Sequence, residues 1–413
     1  MPSADELGAW VAQQRWYAGK SHEPRFRLLD TQSAPHATRY LLMDDAGARP
    51  VLYHVPVSSV PTTPDTPALI TRTPAGCEID AAQHPPFAIA ALEAMGVDVS
   101  RVTGSRVLTG EQSNTSIVFD EDGQPTIILK LFRTLHDGEN PDVTVQRALS
   151  AAGSPFVPKF FGSVDAEWPD SGEEGGVARG TLGFAQEFLP GVRDGWAIAL
   201  EAAREGRDFT DAARDLGVAV AGVHGALGQA LGTADGGPEA VAAAEVTWRR
   251  RLMLAVAEVP AVADRAAAIE TVYKAALARP WPRLQRIHGD LHLGQVLAVP
   301  GAGWRIVDFE GEPLRPMHER AVPDLPVRDV AGMLRSFDYA GAVGGAPEGV
   351  WAAACRAAFV EAYDGADGSV GLDPVILRAL VLDKAVYESI YEARNRPTWL
   401  PVPLAGIDAA LAG

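Results

Sequence analysis

The chain has 413 residues, with 36 Lys and Arg against 53 Asp and Glu, and a formal net charge of −17. That balance argues against a nucleic-acid or anionic-membrane partner, since both are themselves negatively charged. Hydrophobic residues make up 47% of the chain. That is enough for a substantial core, yet no run reaches the roughly 18 apolar residues a membrane span needs. The N-terminal MPSADELGAW has neither the basic segment nor the apolar stretch of a signal peptide. Cys77 and Cys355 are too few for a disulfide framework or a zinc site. The expectation is a cytoplasmic protein of two or three domains with buried, reduced thiols.

In chain order, residues 1–95 read as an N-terminal cap, with a helix carrying Trp10, Trp16 and Tyr17 and strand-like runs RYLLMDD and PVLYHVPV. Residues 96–190 read as a β-rich lobe. LTGEQSNTSIVF, residues 108–119, is a turn-rich loop running into an alternating strand. Ser113, Asn114 and Thr115 there have polar side chains and backbone N–H groups to offer a phosphate. After a turn at Asp122-Gly123, TIILKLF sets Lys130 inside an apolar strand. A lysine so placed must pair or snorkel, and a nucleotide phosphate is its natural partner here. A helix is expected at about 141–152. GFAQEFLPG, residues 183–191, reads as a strand ending in a linker. In a two-lobed kinase, backbone groups near Glu187, Phe188 and Leu189 would meet an adenine edge; a core strand and turn is equally compatible.

Residues 191–413 read as a helical lobe. DAARDLGVAVAGVHGALGQALG places Leu216, Val220, Val223 and Leu227 close to a 3.6-residue period, with His224 beside the stripe as a structural residue. The Gly/Ala-rich stretch 235–246 is expected to be mobile. RIHGDLHLGQVL and WRIVDFEGEP then supply Asp290, Gln295 and Asp308. One carboxylate to orient a hydroxyl, with an amide and a second carboxylate to hold magnesium, is what phosphoryl transfer from ATP requires. Trp304–Val307 reads as a short buried strand delivering Asp308, after a turn at Gly301 and Gly303. His288 and His292 are read first as structural residues, since phosphoryl transfer needs no histidine. In the last long helix, opened by Asp373-Pro374 and closed by Pro397, Lys384, Glu388, Glu392 and Arg396 fall four apart on one face. The stripe reads either as a solvated, self-paired face or as a carboxylate set aimed into an acceptor pocket. In the second case the apolar, helix-breaking WLPVPL tail would close that pocket and Trp399 would stack on a sugar ring.

QQRWYAGK, GEQSNTS, ILKLFR, QEFLPG, HGDLHLGQVL, VDFEGEP, RDVAGMLRSFDYA and YEARNRPTWLPVPL are spread from end to end of the chain. Through them the chain resembles the maltokinase-like branch of the aminoglycoside phosphotransferase-type kinases, and equally an actinobacterial group of glucosamine kinases within it. The resemblance implies an α+β, bilobal protein-kinase-like fold with an N-terminal cap and a nucleotide-binding lobe ending in a hinge. It implies ATP and Mg2+ as cofactors. Asp290 is then the catalytic aspartate, Gln295 and Asp308 the magnesium ligands, Lys130 the phosphate contact and Asp329 a brace for the catalytic loop. The implied acceptor is a small sugar, with His292, Glu388, Glu392, Arg396 and Trp399 as candidate contacts. Glucosamine, giving glucosamine 6-phosphate, is the preferred reading. Maltose, an aminoglycoside, or a catalytically silent pseudokinase are the alternatives. One departure stands out: Thr144 occupies the position where maltokinases carry a glutamate paired with the lysine, which leaves Glu139 or Asp142 as substitutes, or no such pair at all.

Overall fold

The computed structural model describes every residue except 21, 48, 63–65, 109–113, 171, 173–174, 313–314 and 347–348. The chain divides into two units, one of Met1–Arg147 with Pro158–Pro190, the other of Ala148–Val157 with Gly191–Gly413.

The first unit holds two antiparallel sheets. In the cap sheet the strands run Phe26–Ala34, Ala37–Asp44, Val51–Val60, Gly76–Asp80, Leu69–Thr73 from edge to edge. In the second sheet the order is Phe160–Pro169, Val177–Glu187, Gln124–Phe132, Asn114–Glu121, Val102–Val107. The run Tyr40 to Met43 is continuously apolar because both faces of its strand are covered. Tyr40 and Leu42 pack with Leu7, Trp10 and Val11 of the helix Ala4–Ala12, while Leu41 and Met43 face Phe132, Leu182 and Phe184 of the second sheet. The two sheets are also joined through the chain: Thr134–Leu135, just beyond the Lys130 strand, pairs with Val51–Val60 of the cap. Arg133 at that junction is fully buried. Its guanidinium donates to Thr115 Oγ1 at 2.8 Å and Asp80 Oδ2 at 2.5 Å, and lies 5.1 Å from the Trp16 ring centroid. A buried charge needs such partners.

The second unit is helical, with a small sheet of Arg193–Asp194, Val296–Val299 and Gly303–Ile306 and a two-stranded pair of Thr233–Ala234 with Leu284–Gln285. The helix Thr210–Leu231 buries Leu216, Val220, Val223 and Leu227, the expected stripe. Two expectations are corrected. Residues 238–246 are the first turns of the helix Pro238–Glu258, because Pro238 sits at a helix start that proline suits and the alanines favour helix. The WLPVPL tail does not break structure either. Pro397–Trp399 forms a short 3-10 turn and Pro401–Ala412 a further helix, its prolines lying in the first turn, where the missing N–H costs little. The helix Pro374–Asn395 is capped by Asp373, which accepts from the N–H groups of Val375 and Ile376. It is the central element against which the helices Val327–Gly344 and Pro401–Ala412 pack.

Candidate active site

The hairpin Val296–Val299/Gly303–Ile306 pairs Val296 with Ile306. Its open end therefore sets residue 295 beside residue 307, and Val307 N–H donates to the Gln295 carbonyl at 3.0 Å. The next residue, Asp308, turns back with φ of +68°. This left-handed conformation is disfavoured for most side chains but tolerated by Asp. It brings the carboxylate to the Gln295 amide, whose Nε2 donates to Asp308 Oδ2 at 2.9 Å. Two oxygen-bearing side chains thus meet at one point of the second unit.

Asp290 sits on a loop held from below. Buried Asp329, on the helix Val327–Gly344, accepts from His288 N–H through Oδ2 and from Gly289 N–H through Oδ1, both at 2.8 Å. His224 Nε2 adds a contact of 3.1 Å to Oδ2, and its Nδ1 meets the Tyr363 hydroxyl at 2.8 Å. Burial works against the Asp329 charge, but His224, His288 and the Gly289 N–H hold its carboxyl below the usual range. Two glycines permit this seating. Gly289 has φ of +84°, and a Cβ on Gly332 would come within 2.4 Å of the Leu291 carbonyl. His288 Nε2 meets the Val307 carbonyl at 3.0 Å, joining the loop to the hairpin. His292 Nδ1 accepts from Gly294 N–H at 3.0 Å and so caps the turn carrying Gln295. Burial lowers the pKa of the His292 ring.

The sequence reading missed the ion network around Asp290. Lys384 Nζ lies 3.0 Å from Asp290 Oδ1 and 3.3 Å from Glu312 Oε1. Glu312 is almost fully buried and meets Arg251 at 3.3 Å and Arg328 at 3.9 Å; Arg251 also pairs with Asp383. Burial alone would lower the Lys384 pKa, but Asp290, Glu312 and Glu388 hold it above the ordinary lysine value. Burial opposes the charge of Glu312 too, and Lys384, Arg251, Arg328 and Arg315 outweigh it, lowering the carboxyl to about 2. Its folded value lies below the ordinary 4.5, so the charged network stabilises the fold above pH 4.5 and loses that contribution as pH falls through about 2. The expected result is that wild type loses stability more steeply than Glu312→Gln across this window in urea melts. Parallel curves for the two proteins would refute the network's role.

The solvated-face reading of the last long helix is corrected. Glu388, only partly exposed, takes Arg335 through Oε2 at 2.9 Å from Nε and 2.8 Å from Nη2. Its Oε1 has no partner among the described residues. Burial raises its pKa against the pull of Arg335. Glu392 is buried, with both oxygens engaged by Arg396 at 2.7 and 2.9 Å and by the Tyr339 hydroxyl at 3.1 Å. Trp399 has the Arg396 guanidinium 4.3 Å above its ring. Val381, Ala385 and Ile390 beside the stripe are buried as well, so much of this helix surface is covered.

In the first unit, Lys130 Nζ pairs with Asp142 Oδ2 at 2.9 Å. The partner left open by Thr144 is therefore Asp142, at the second position of the helix Pro141–Ala151, whose first turn Asn140 caps. Asn114 and Thr115 are buried at the start of a strand, and the Thr115 hydroxyl is taken by Arg133. Ser113 lies outside the described residues. Of the expected adenine contacts, the Glu187 and Phe188 N–H groups are committed to the carbonyls of Lys159 and Thr126, both at 2.8 Å. Leu189 makes no hydrogen bond among the described residues.

A model of the phosphotransferase enzyme family matches residues 105–372. The chain belongs to this family. A maltokinase N-terminal cap domain model matches residues 10–81 of the same phosphotransferase. It is 32% identical over 329 residues to a glucosamine kinase of Streptacidiphilus jiangxiensis, covering 73% of this chain and 72% of the relative. A glucosamine kinase of Mycolicibacterium smegmatis is 29% identical over 344 residues, covering 75% and 80%. A solved glucosamine kinase covers 100% of both chains with a TM-score of 0.72 and 23% identity. Another, solved in complex with glucosamine, ADP and inorganic phosphate, covers 99% of both at 0.69 and 23%. The phosphotransferase shares their capped kinase-like fold, with a β-rich N-terminal part and a helical C-terminal part.

Proposed function

We propose that this phosphotransferase is an ATP-dependent sugar kinase that phosphorylates glucosamine to glucosamine 6-phosphate. The observation that carries the reading is the state of Asp290. Lys384 takes its Oδ1, while Oδ2 has no partner among the described residues. Oδ2 is the oxygen left to orient an acceptor hydroxyl and receive its proton as that oxygen bonds to the γ-phosphorus and ADP departs. Lys384 holds the carboxylate in one rotamer. Lys130, aligned by Asp142, is assigned to the nucleotide phosphates.

Gln295 and Asp308 offer an amide oxygen and a carboxylate side by side, a hard-oxygen donor set that fits magnesium. Magnesium bound there supplies charge neutralisation for the transferring phosphoryl group. Asp308→Ala is expected to abolish the magnesium dependence of nucleotide affinity, read by titration with and without the metal. Unchanged dependence would remove Asp308 from the metal site. The working organisation is a cap of residues 1–95, a nucleotide-binding lobe of 96–190 and a catalytic lobe of 191–413, in a cytoplasmic enzyme.

Glucosamine is favoured by both curated relatives and by Glu388. Glu388 lies one helical turn from Lys384, and its spare oxygen and burial-raised pKa make an ammonium a welcome partner. His292, Glu392, Arg396 and Trp399 already have protein partners and are secondary candidates. The cap match favours maltose as the second reading. The deciding experiment is ADP release with ATP and magnesium against glucosamine, glucose, maltose and an aminoglycoside. Glucosamine should exceed glucose by about 10-fold to 100-fold, the worth of one charge-assisted hydrogen bond. Preference for maltose would transfer the assignment to maltokinase, and silence across the panel with ATP still bound would favour a pseudokinase.

A further inference from the structure

Glu388, the proposed ammonium partner, stands at one end of a row of four alternating charges. Its Oε2 accepts from Arg335 Nε at 2.9 Å and lies 2.8 Å from Nη2. On its far side the same guanidinium donates through Nη1 to Asp338 Oδ2 at 2.8 Å. Arg356 Nη1 then reaches both Asp338 oxygens, at 3.1 and 3.2 Å. Arg335 and Asp338 lie about one turn apart on the helix Val327–Gly344, Arg356 comes from Val350–Gly365 and Glu388 from Pro374–Asn395. Side-chain exposure rises outward, from 1% at Arg335 to 19% at Asp338 and 33% at Arg356. The row therefore runs from a buried clamp on Glu388 towards solvent.

A carboxylate with a guanidinium of its own forms a neutral couple, and an ammonium gains little beside it. Here the guanidinium is divided. Packing holds Arg335 in place: it lies 5.6 Å from the Tyr339 ring centroid, and a Cβ on Gly406 would collide with its Nη1. It cannot swing wholly to Glu388. Burial opposes its charge, but Glu388 and Asp338 outweigh burial and hold its pKa above the ordinary value. Glu388, Arg335 and Asp338 thus carry one net negative charge among them. The Glu388 Oε1, without a partner among the described residues, is left to present it. Asp338 is felt at that carboxyl: burial raises its pKa, Arg335 lowers it, and Asp338 raises it again. Arg356 offsets Asp338 from the outer side, where water and salt screen it.

We propose that Asp338 is a specificity-determining residue for the acceptor: acting through Arg335, it keeps Glu388 net negative and so selects a cationic sugar over a neutral one of the same shape. Asp338 is a positioning residue, since it reaches the acceptor only through Arg335 and Glu388. The inference rests on the glucosamine reading and extends it to a side chain one step behind the site.

The test compares kcat/KM for glucosamine and for glucose, which differ by an amine against a hydroxyl, in full-length wild type, Asp338→Asn and Glu388→Gln. ADP release with ATP and magnesium is the readout. Asparagine keeps the shape of Asp338 and one oxygen for Arg335. Asp338→Asn should lower the glucosamine-to-glucose ratio by about 3-fold to 10-fold, as a screened unit charge beyond direct contact implies. The loss should enter through the KM for glucosamine, whereas a merely structural defect would lower both sugars alike. Glu388→Gln should lower the ratio at least as far. If Asp338→Asn does not fold, as judged by urea unfolding, Arg356→Gln decides. It frees Asp338 of its outer partner, so the ratio should rise by about 2-fold or more; an equal or lower ratio would overturn the proposal. A wild-type preference for glucosamine that folded Asp338→Asn keeps in full would overturn the role of Asp338 and leave the acceptor assignment standing. A preference unchanged in Glu388→Gln would overturn it too, because the effect runs through that carboxylate. No preference in wild type would overturn both this inference and the glucosamine reading.

Discussion

Asp290→Asn should lower turnover by about 10²-fold to 10⁴-fold, the range for losing a positioned base, while ATP affinity stays within a few-fold of wild type. The substitution keeps size and shape. It removes the negative charge proposed to receive the acceptor proton, and the amide has one oxygen where the carboxylate has two. Lys384 keeps Glu312 as a counter-charge at 3.3 Å, so its ammonium is not stranded. Folding stability should therefore change little, and the loss can be read as chemistry. Steady-state ADP release together with calorimetric nucleotide binding separates the two. Turnover within tenfold of wild type would take the base role from Asp290. Loss of ATP binding in step with turnover would instead make it a metal or nucleotide contact.

The second large effect is expected at a residue that touches no substrate. Asp329→Ala removes the only acceptor, among the described residues, for the His288 and Gly289 N–H groups and strands His224 Nε2, all in a buried interior. Breaking a buried charged network of this kind costs about 3–5 kcal/mol, and turnover should fall with it because the Asp290 loop loses its seat. Asp329→Asn is the informative companion. Its single oxygen can keep one N–H, while its NH2 opposes the other, so stability should fall between wild type and Asp329→Ala. Urea unfolding of the three proteins measures this. Wild-type stability in Asp329→Ala would show that water or another group satisfies the loop, and the bracing account would fail.

Local chemistry made much of this protein legible. Asp373-Pro374 opens a helix because an aspartate caps free N–H groups and proline lacks one. The hairpin before Asp308 follows from a short apolar run after Gly301 and Gly303, both with positive φ. Lys130 stood out because a lysine in an apolar strand must have a partner. Where the reading went astray, the deciding quantity was long-range. Lys384 and Glu388 obey a helical period whether their face meets water or protein, so spacing alone could not place one on Asp290 and the other on Arg335.

What the sequence determined by itself was the reaction class, the β-then-helical order of the chain and the set of candidate side chains for phosphoryl transfer. Each of these rests on residue type and near-neighbour spacing, which sterics and hydrogen-bonding capacity constrain directly. What only the tertiary structure decided was the partner of each charge: Asp142 for Lys130, Lys384 for Asp290, Arg335 for Glu388. A buried charge takes whichever opposite charge the packing of distant helices and strands delivers within about 3 Å, and no local pattern encodes that delivery.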